Sequence, residues 1–395
     1  MVSKLLETGK ICIHFQPIIS IRNAKVIGVE ALMRAYDENG ESFSPIFVFE
    51  QAKKEGVAFE FDKYVRKKAL EAFVPLYQDN HDLFLFLNFE SYLLDTQTDF
   101  EVFEFSTISD ELGIPPSRIV LEIKENQIKN THNLKLFCEY FKQRNFLIAL
   151  DDFGAGNANF DRIATVRPNI VKIDRSIVFN VHQNFINKEI LKSITNMCFN
   201  IGALVLAEGV ECEEEILKSL NIDIDLFQGF WFAKPQAQLE QKMILIEKIE
   251  HIGQKHTLNI KIKMQTKEEL ITNAKQYANR IIEAVIAGNT CEDLFLFLDH
   301  FNAIEAIYCI DAKMGIQEGN TVINTDVQEF FRPAQSGDSH ALKEYFYITK
   351  ESKRGNYLSQ KYISRASGKM CRTFAQKFDA NGREKIMCLD LKVNP

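Results

Sequence analysis

The sequence predicts an α/β protein, a modified (β/α)8 TIM-type barrel with one antiparallel strand, followed by a smaller α+β domain. Three observations lead there. Over residues 1 to about 245, short apolar runs alternate with longer amphipathic stretches, the rhythm of strands covered by helices. The runs number eight if an opening hairpin supplies two, which suits closure into a barrel. Most runs end on an acidic or amide residue: at Glu30, Asn88, Glu122, Asp151 with Asp152, Glu208 and Gln228. The run at 170–171 ends at Lys172, with Asp174 two residues on. A parallel barrel collects its strand ends on one face, so these side chains converge.

The elements follow in order. Residues 10–20 and 25–33 read as strands joined at Ile21-Arg22-Asn23-Ala24, a hairpin that makes one barrel strand antiparallel. Residues 45–56 and 60–74 read as helices, the second stopped by Pro75, which lacks an N–H and crowds the preceding turn. Strands are expected at 81–88, 117–123, 146–151, 170–173, 203–207 and 226–232. Helices are expected at 101–112, 133–144, 157–166, 187–200 and 213–220. Residues 240–256 are helical and charged, 257–263 are a small strand or linker, and 267–287 form a long amphipathic helix. Beyond 289, strands are expected at 303–311, 357–363, 369–378 and 385–393, with Asp379-Ala380-Asn381-Gly382 as a hairpin turn. The domains expected are therefore 1–250, a linker and connecting helix at 251–288, and 289–395.

Composition narrows the function. Of 395 residues, 46% are hydrophobic and 26% charged, as in a globular protein. The net charge of -7 argues against a nucleic-acid polymer as partner. Eight cysteines are scattered without a CxxC pair, which suits reduced core thiols. No apolar run is long enough for a membrane span and no leader-like segment opens the chain, so a cytoplasmic location is expected. Gly154-Ala155-Gly156 lacks the third glycine of a dinucleotide loop and follows two aspartates that would repel a pyrophosphate. Convergent carboxylates without histidine or cysteine point instead to a hard divalent metal. Hydrolysis of a phosphodiester uses such a site: two ions, bridged by carboxylates such as the adjacent Asp151 and Asp152, clamp the attacking and leaving oxygens. Each acid taken alone reads most often as a solvated strand end; His14 reads as a packed barrel histidine and Trp231 as core.

Seven motifs carry a resemblance. Phe15-Gln16-Pro17-Ile18, Glu30-Ala31-Leu32-Met33-Arg34, Leu121-Glu122-Ile123-Lys124-Glu125, Asp151-Asp152-Phe153-Gly154-Ala155-Gly156, Lys172-Ile173-Asp174, Ala207-Glu208-Gly209-Val210-Glu211 and Gln228-Gly229-Phe230 occur in that order. Together they resemble EAL domains, bacterial phosphodiesterases of cyclic di-GMP, over residues 1–245. The resemblance implies that Glu30, Asn88, Glu122 and Asp151 hold one metal. Asp152, with Asp151 as bridge, would hold the second, with Glu208 beside it. It implies Mg²⁺ or Mn²⁺ as the ions and Ca²⁺ as inhibitory. Glu30, Lys172, Glu208 and Glu125 would be catalytic, with Lys172 positioning the water and Glu125 supporting the Asp151–Gly156 loop. Gln16, Leu32, Arg34, Asp174 and Gln228 would meet cyclic di-GMP, Arg34 at a phosphate oxygen and Leu32 beneath a guanine. A homodimer is also implied. Three positions depart from the family: Lys124 where threonine is usual, Asn157-Ala158 where an aromatic and a serine are usual, and Phe89-Glu90 after Asn88.

The C-terminal part, through Gly355-Asn356-Tyr357-Leu358-Ser359, Tyr362-Ile363-Ser364 and Leu389-Asp390-Leu391, resembles PAS/Cache sensor modules. That implies a sensor with an unknown small-molecule ligand or protein partner; a dimerisation domain fits equally. No Gly-Gly pair of a cyclase motif occurs. The expected function is a metal-dependent phosphodiesterase opening cyclic di-GMP to linear pGpG under control of this module. The alternatives are a catalytically slow or inactive cyclic di-GMP receptor and, more remotely, another metal-dependent barrel enzyme.

Overall fold

A computed structural model describes residues 2–8, 10–95, 99–100, 103, 105–124, 128–156, 160–238, 242–289, 293, 303–323 and 332–393. The chain forms two units, Met1–Leu258 and Asn259–Pro395. In the first, the strands are β1 (Ile11–Ser20), β2 (Lys25–Tyr36), a short β3 (Ser42–Phe43), β4 (Phe84–Phe89), β5 (Ile119–Lys124), β6 (Leu147–Phe153), β7 (Ile170–Ile173), β8 (Leu204–Ala207) and β9 (Leu226–Phe227). Their order is β1-β9-β8-β7-β6-β5-β4-β2, and pairing of β1 with β2 closes an eight-stranded barrel, with β3 alongside β2. β1 runs antiparallel to β2 and β9, while β2, β4, β5, β6, β7, β8 and β9 pair in parallel. The modified barrel read from the sequence is therefore the fold.

The two-residue period of a strand explains where the polar side chains lie. An apolar cluster formed by Ile18, Phe86, Val120, Ala149, Ile170, Leu206 and Leu226 takes one residue from each of seven strands. Two residues further on come Asn88, Glu122, Asp151, Lys172, Glu208 and Gln228; in antiparallel β1 the step reverses, from Ile18 to Gln16. The intervening residues Leu87, Leu121, Leu150, Val171, Ala207 and Phe227 belong to the larger core beneath the helices. On β2 the corresponding position is Gly28. A Cβ there would meet Phe84 O at 2.8 Å and Phe86 Cε2 at 2.9 Å, so the Phe86 ring takes the space a side chain would fill.

The first unit also differs from the expectation in several places. A short helix, Val2–Thr8, precedes β1. The helix expected to stop at Pro75 runs from Ala58 to Asp79 with Pro75 inside. Proline removes one hydrogen bond, but Leu76 and Tyr77 beyond it pack on the core, so continuing the helix buries more apolar surface. The helices expected from 133 and 187 start earlier, at Thr131 and Phe185, because the Asn130 and Asn184 side chains cap them by accepting from Asn133 N and Asn187 N. Strand pairing on β9 stops at Phe227, so the part of the expected 226–232 strand from Gln228 on is a turn in which Phe232 N donates to Gly229 O.

Residues 257–263, expected as a strand or linker, are helical within Lys242–Ile286. Leu258, Ile260 and Ile262 are exposed. A segment without a strand partner satisfies its backbone groups internally, as a helix.

The second unit is an antiparallel sheet of β10 (Ile304–Asp311), β11 (Gln317–Ile323), β12 (Asn356–Leu358), β13 (Tyr362–Ile363), β14 (Met370–Ala380) and β15 (Arg383–Lys392). Its order is β11-β10-β15-β14-β12, with β13 also on β14. Alternation along β15 separates the two faces: Met387, Leu389 and Leu391 pack with Ala274, Ala278, Ile281 and Ile282 of the long helix. Ile386 and Cys388 pack with Tyr345 and Phe346 of helix Glu344–Glu351. The Asp379–Gly382 turn forms as expected, with positive φ at Asn381 (57°) and Gly382 (81°). The expected strand 357–363 is two short strands, β12 and β13, and both β11 and helix Glu344–Glu351 were not anticipated.

One buried ion pair braces the barrel wall. Arg66 Nε donates to Asp62 Oδ2 at 2.8 Å, with both side chains 2% exposed. Arg66 also donates to Phe103 O and lies over the Phe105 ring, 4.2 Å from its centre. Burial pushes the Asp62 carboxyl up, and Arg66 pulls it back. Removing one partner of a buried pair costs about 3–5 kcal/mol, whereas an apolar replacement of both is near neutral. Asp62→Ala should lower stability in chemical denaturation by that amount, and Asp62→Ala with Arg66→Met should regain most of it; equal losses in the two variants would refute the assignment.

Candidate active site

The strand ends gather around Lys172, 1% exposed at the end of β7. Its Nζ lies 2.6 Å from Glu122 Oε1, 2.8 Å from Glu208 Oε1, 3.0 Å from Asp151 Oδ1 and 3.6 Å from Glu30 Oε2. Glu30 is held from the other side: Asn88 Nδ2 donates to its Oε1 at 2.7 Å and Gln228 Nε2 to its Oε2 at 2.6 Å. Gln228 Nε2 also reaches Gln16 Oε1 at 3.1 Å, and Gln16 Nε2 donates to Ala233 O. Six strands are thus tied by one polar network, with Glu208 and Gln228 attached just past the ends of β8 and β9.

Adjacent strand residues point to opposite faces, yet Asp151 and Asp152 both line the same cleft. The register of β6 with β7 shifts between Leu150 and Phe153, and Asp152 sits at φ 55°. This bulge turns the second carboxylate back toward the first. Gly154 follows at φ 96°, a conformation that strains any other residue, and a Cβ there would also displace the Ile177 Cδ1 methyl 2.3 Å away.

The cluster carries excess negative charge. Five carboxylates, Glu30, Glu122, Asp151, Asp152 and Glu208, face two ammonium groups, those of Lys172 and Lys124. Burial pushes the Glu122 carboxyl well up, reinforced by Glu30 and opposed by Lys172. Burial also pushes the Glu208 carboxyl up, to about 8, again against the pull of Lys172. The Lys172 ammonium is driven well above its ordinary value by Asp151, Glu122, Glu208 and Glu30, overcoming its own burial. Glu122 Oε2 is buried without a hydrogen-bond partner among the described residues, and its Oε1 contact with Lys172 is ionic without hydrogen-bond geometry. Oxygens of Asp151, Asp152 and Glu208 lie within 4.8 Å of one another. Orphaned buried oxygen, uncompensated charge and an all-oxygen donor set fit a hard divalent ion.

Among the other predicted residues, Leu32 and Arg34 line the same cleft, of about 570 Å³, and Arg34 Nη1 also donates to Met33 O. Asp174 is not in that lining; its Oδ1 accepts from Ser176 N at 2.9 Å and caps the turn Arg175–Val178. Glu125, Asn157 and Ala158 lie outside the described residues. Lys124 Nζ lies 3.3 Å from Asp152 Oδ2. The cleft wall also includes Lys53, Glu90 and Tyr92, which the strand-end pattern did not single out as site residues. Burial, then Asp62, pushes the Glu90 carboxyl to about 7, while Lys124 and Lys53 oppose that rise. His182, Cys212 and Glu215 also come together. The Glu215 carboxylate there accepts from the N–H groups of Asn180, Glu211 and Cys212, a structural cap.

A closed barrel whose strand ends carry a carboxylate cluster around a buried lysine defines the class, a (β/α)8-type barrel with a candidate metal site. The EAL domain family matches residues 1–235, and the chain belongs to that family. It is 25% identical over 378 residues to the uncharacterised EAL-domain protein YkuI of Bacillus subtilis, covering 93% of this chain and 91% of YkuI. The YkuI structure, solved in complex with cyclic di-GMP and calcium, superimposes with a TM-score of 0.84 at 22% identity over the full length of both chains, a likeness of fold. The cyclic di-GMP phosphodiesterase PdeA of Borreliella burgdorferi is 29% identical over 238 residues, which is 60% of this chain but 35% of PdeA. Klebsiella pneumoniae BlrP1, in a complex with manganese and cyclic di-GMP, matches 57% of this chain and 56% of its own at 25% identity, with a TM-score of 0.52. Among the described residues no helix is long and apolar enough to cross a membrane.

Lys124 places a fixed positive charge beside Asp152. Partly exposed ion pairs are worth up to about 1 kcal/mol. Lys124→Thr should therefore tighten Mn²⁺ binding about fivefold by calorimetry; unchanged or weaker binding would show that the pair does not compete with a cation.

Proposed function

We propose that the protein hydrolyses cyclic di-GMP to linear pGpG at this cleft. The observation that carries the reading is the buried Lys172 surrounded by Glu30, Glu122, Asp151 and Glu208, with one Glu122 oxygen left unpartnered. Glu30, Asn88, Glu122 and Asp151 would hold one divalent ion, and Asp152 with the bridging Asp151 the second, beside Glu208. Bound there, Mg²⁺ or Mn²⁺ supplies Lewis acidity to the phosphate and the attacking water, whereas Ca²⁺, with looser geometry, supports binding better than turnover.

The chain's own groups have separable roles. Lys172 holds the carboxylates together and offers its N–H groups to the water. Glu208, 2.8 Å from Lys172 Nζ, stands beside it as a proton acceptor in its ionised form. Water attacks phosphorus, the P–O3′ bond breaks, and the 3′ oxygen leaves as a hydroxyl, giving a linear dinucleotide with a 5′ phosphate. Gln16 and Gln228 fix Glu30 in place and reach the substrate side. Arg34 pairs with a phosphate oxygen, Leu32 packs under a guanine, and Asp174 with Glu125 supports the loops around them. Residues 289–395 would act as a sensor or dimerisation module regulating this site, in a cytoplasmic homodimer.

Incubation with cyclic di-GMP and Mn²⁺, followed by nucleotide separation, should give pGpG. Glu122→Gln should reduce the rate at least about a hundredfold, the upper end of what losing even a group behind a metal ligand costs. The ion pair of Lys124 with Asp152 favours a second reading, a receptor that binds cyclic di-GMP and turns it over slowly or not at all. Micromolar binding with no pGpG over hours, across Mg²⁺ and Mn²⁺, would establish the receptor and overturn hydrolysis. Light scattering should give twice the chain mass; a monomer across the micromolar range would refute the dimer.

A further inference from the structure

The second unit contains a cavity of about 520 Å³ between its sheet and the segment around helix Glu344–Glu351, a size suited to a small molecule. Its floor is polar and buried. Asp390, 4% exposed, contributes a carboxylate whose Oδ1 accepts from Thr373 Oγ1 at 2.7 Å and Tyr362 Oη at 3.2 Å, with Tyr308 Oη 3.3 Å away. The other oxygen accepts no hydrogen bond among the described residues, and no cationic side chain among them pairs with Asp390.

The surrounding groups are locked. His340 Nε2 lies 2.8 Å from Gln317 Oε1, an acceptor, so that nitrogen carries the proton. Nδ1 then accepts from Tyr345 Oη at 2.7 Å, and Tyr345 meets Tyr308 Oη at 3.1 Å. Gln317 Nε2 donates to Gly319 O, Thr321 Oγ1 and Ala334 O, which fixes its amide orientation. Burial lowers the His340 value, reinforced by Lys343, so the ring stays neutral and supplies no counter-charge to Asp390.

The rim has the opposite charge. Arg365 and Lys343 line the cavity, are exposed, and have no ion pair among the described residues; Arg332, also lining it, is 3.5 Å from Asp338. A buried carboxylate lacking a cation is costly unless a ligand provides one. A rim of free guanidinium and ammonium groups calls for an anion at the other end of the same ligand.

We propose that this cavity binds a small zwitterion of the α-amino-acid class, its protonated amine on the unpaired Asp390 oxygen and its carboxylate toward Arg365 and Lys343. The inference does not depend on hydrolysis at the barrel. A carboxylate without an amine would meet Asp390 with repulsion. An amine without a carboxylate would leave the rim unpaired.

The test uses the full chain, the twenty α-amino acids singly at millimolar concentration, their N-acetyl forms, and succinate and inorganic phosphate. At least one amino acid should raise the melting temperature and bind by calorimetry, and its N-acetyl form should not. Asp390→Asn should weaken that binding at least tenfold and Arg365→Gln several-fold, with cyclic di-GMP affinity at the barrel unchanged. Absence of binding by any amino acid, equal binding of the N-acetyl form, or succinate or phosphate binding as well would overturn the proposal. If Asp390→Asn does not fold, the N-acetyl comparison and Arg365→Gln, a rim substitution, decide the outcome.

Discussion

The first unit depends on one ammonium group. Lys172 is buried on the end of β7, and its ammonium group holds Glu30, Glu122, Asp151 and Glu208 around one point. Burial raises the proton affinity of Glu122 and Glu208, and the neighbouring Glu30 and Asp151 raise it further. A buried cation with one acid partner would be a marginal arrangement. With four it is a pre-formed site, rigid through the strands that carry the acids and still short of positive charge. That residual deficit gives the cleft its chemical character.

The backbone pattern beneath makes the cluster possible. Each parallel strand sends an apolar residue inward, then a functional residue two positions later, so one register sets the fold and the site together. Two places break the pattern, and each break has a use. Gly28 yields its interior space to the Phe86 ring. Asp152 breaks the pleat at φ 55°, which brings a second carboxylate to the same cleft as Asp151.

Much of this was legible in the sequence, because strand-end chemistry is written locally. The runs ending at Glu122, Asp151 and Lys172 name both the strands and the residues the strands bring together. Other features depended on contacts that local pattern does not contain. Pro75 looked like a stop, but the apolar surface of Leu76 and Tyr77 beyond it outweighs one lost hydrogen bond. Asp174 shared a motif with Lys172, yet its local partner is Ser176 N. The alternation of Leu258, Ile260 and Ile262 mimicked a strand, although no neighbouring strand exists to pair with it among the described residues. Asp390 stood in Leu389-Asp390-Leu391 with no role attached: its significance comes from the hydroxyls of Tyr308, Tyr362 and Thr373 on separate strands, which only tertiary structure brings around it.

The two described departures from the family pattern are best understood jointly. Glu90 adds a half-buried acid to the cleft wall, and Asp62 raises its carboxyl further. Lys124 adds a cation that acts on Glu90, on Asp151 and most closely on Asp152. The two changes put charges of opposite sign into the cleft, the one at Glu90 weakened by its raised carboxyl. Their distribution is not neutral, however. The added negative charge lies toward Asp62 and the helix wall, and the added positive charge beside the bulge that carries Asp152. The side of the cleft around Glu122 and Lys172 keeps its electrostatic balance, while the side around Asp152 becomes less attractive to a cation. The departures therefore distinguish the two sides of the carboxylate cluster, with the Lys124 charge falling most closely on Asp152 and next on Asp151.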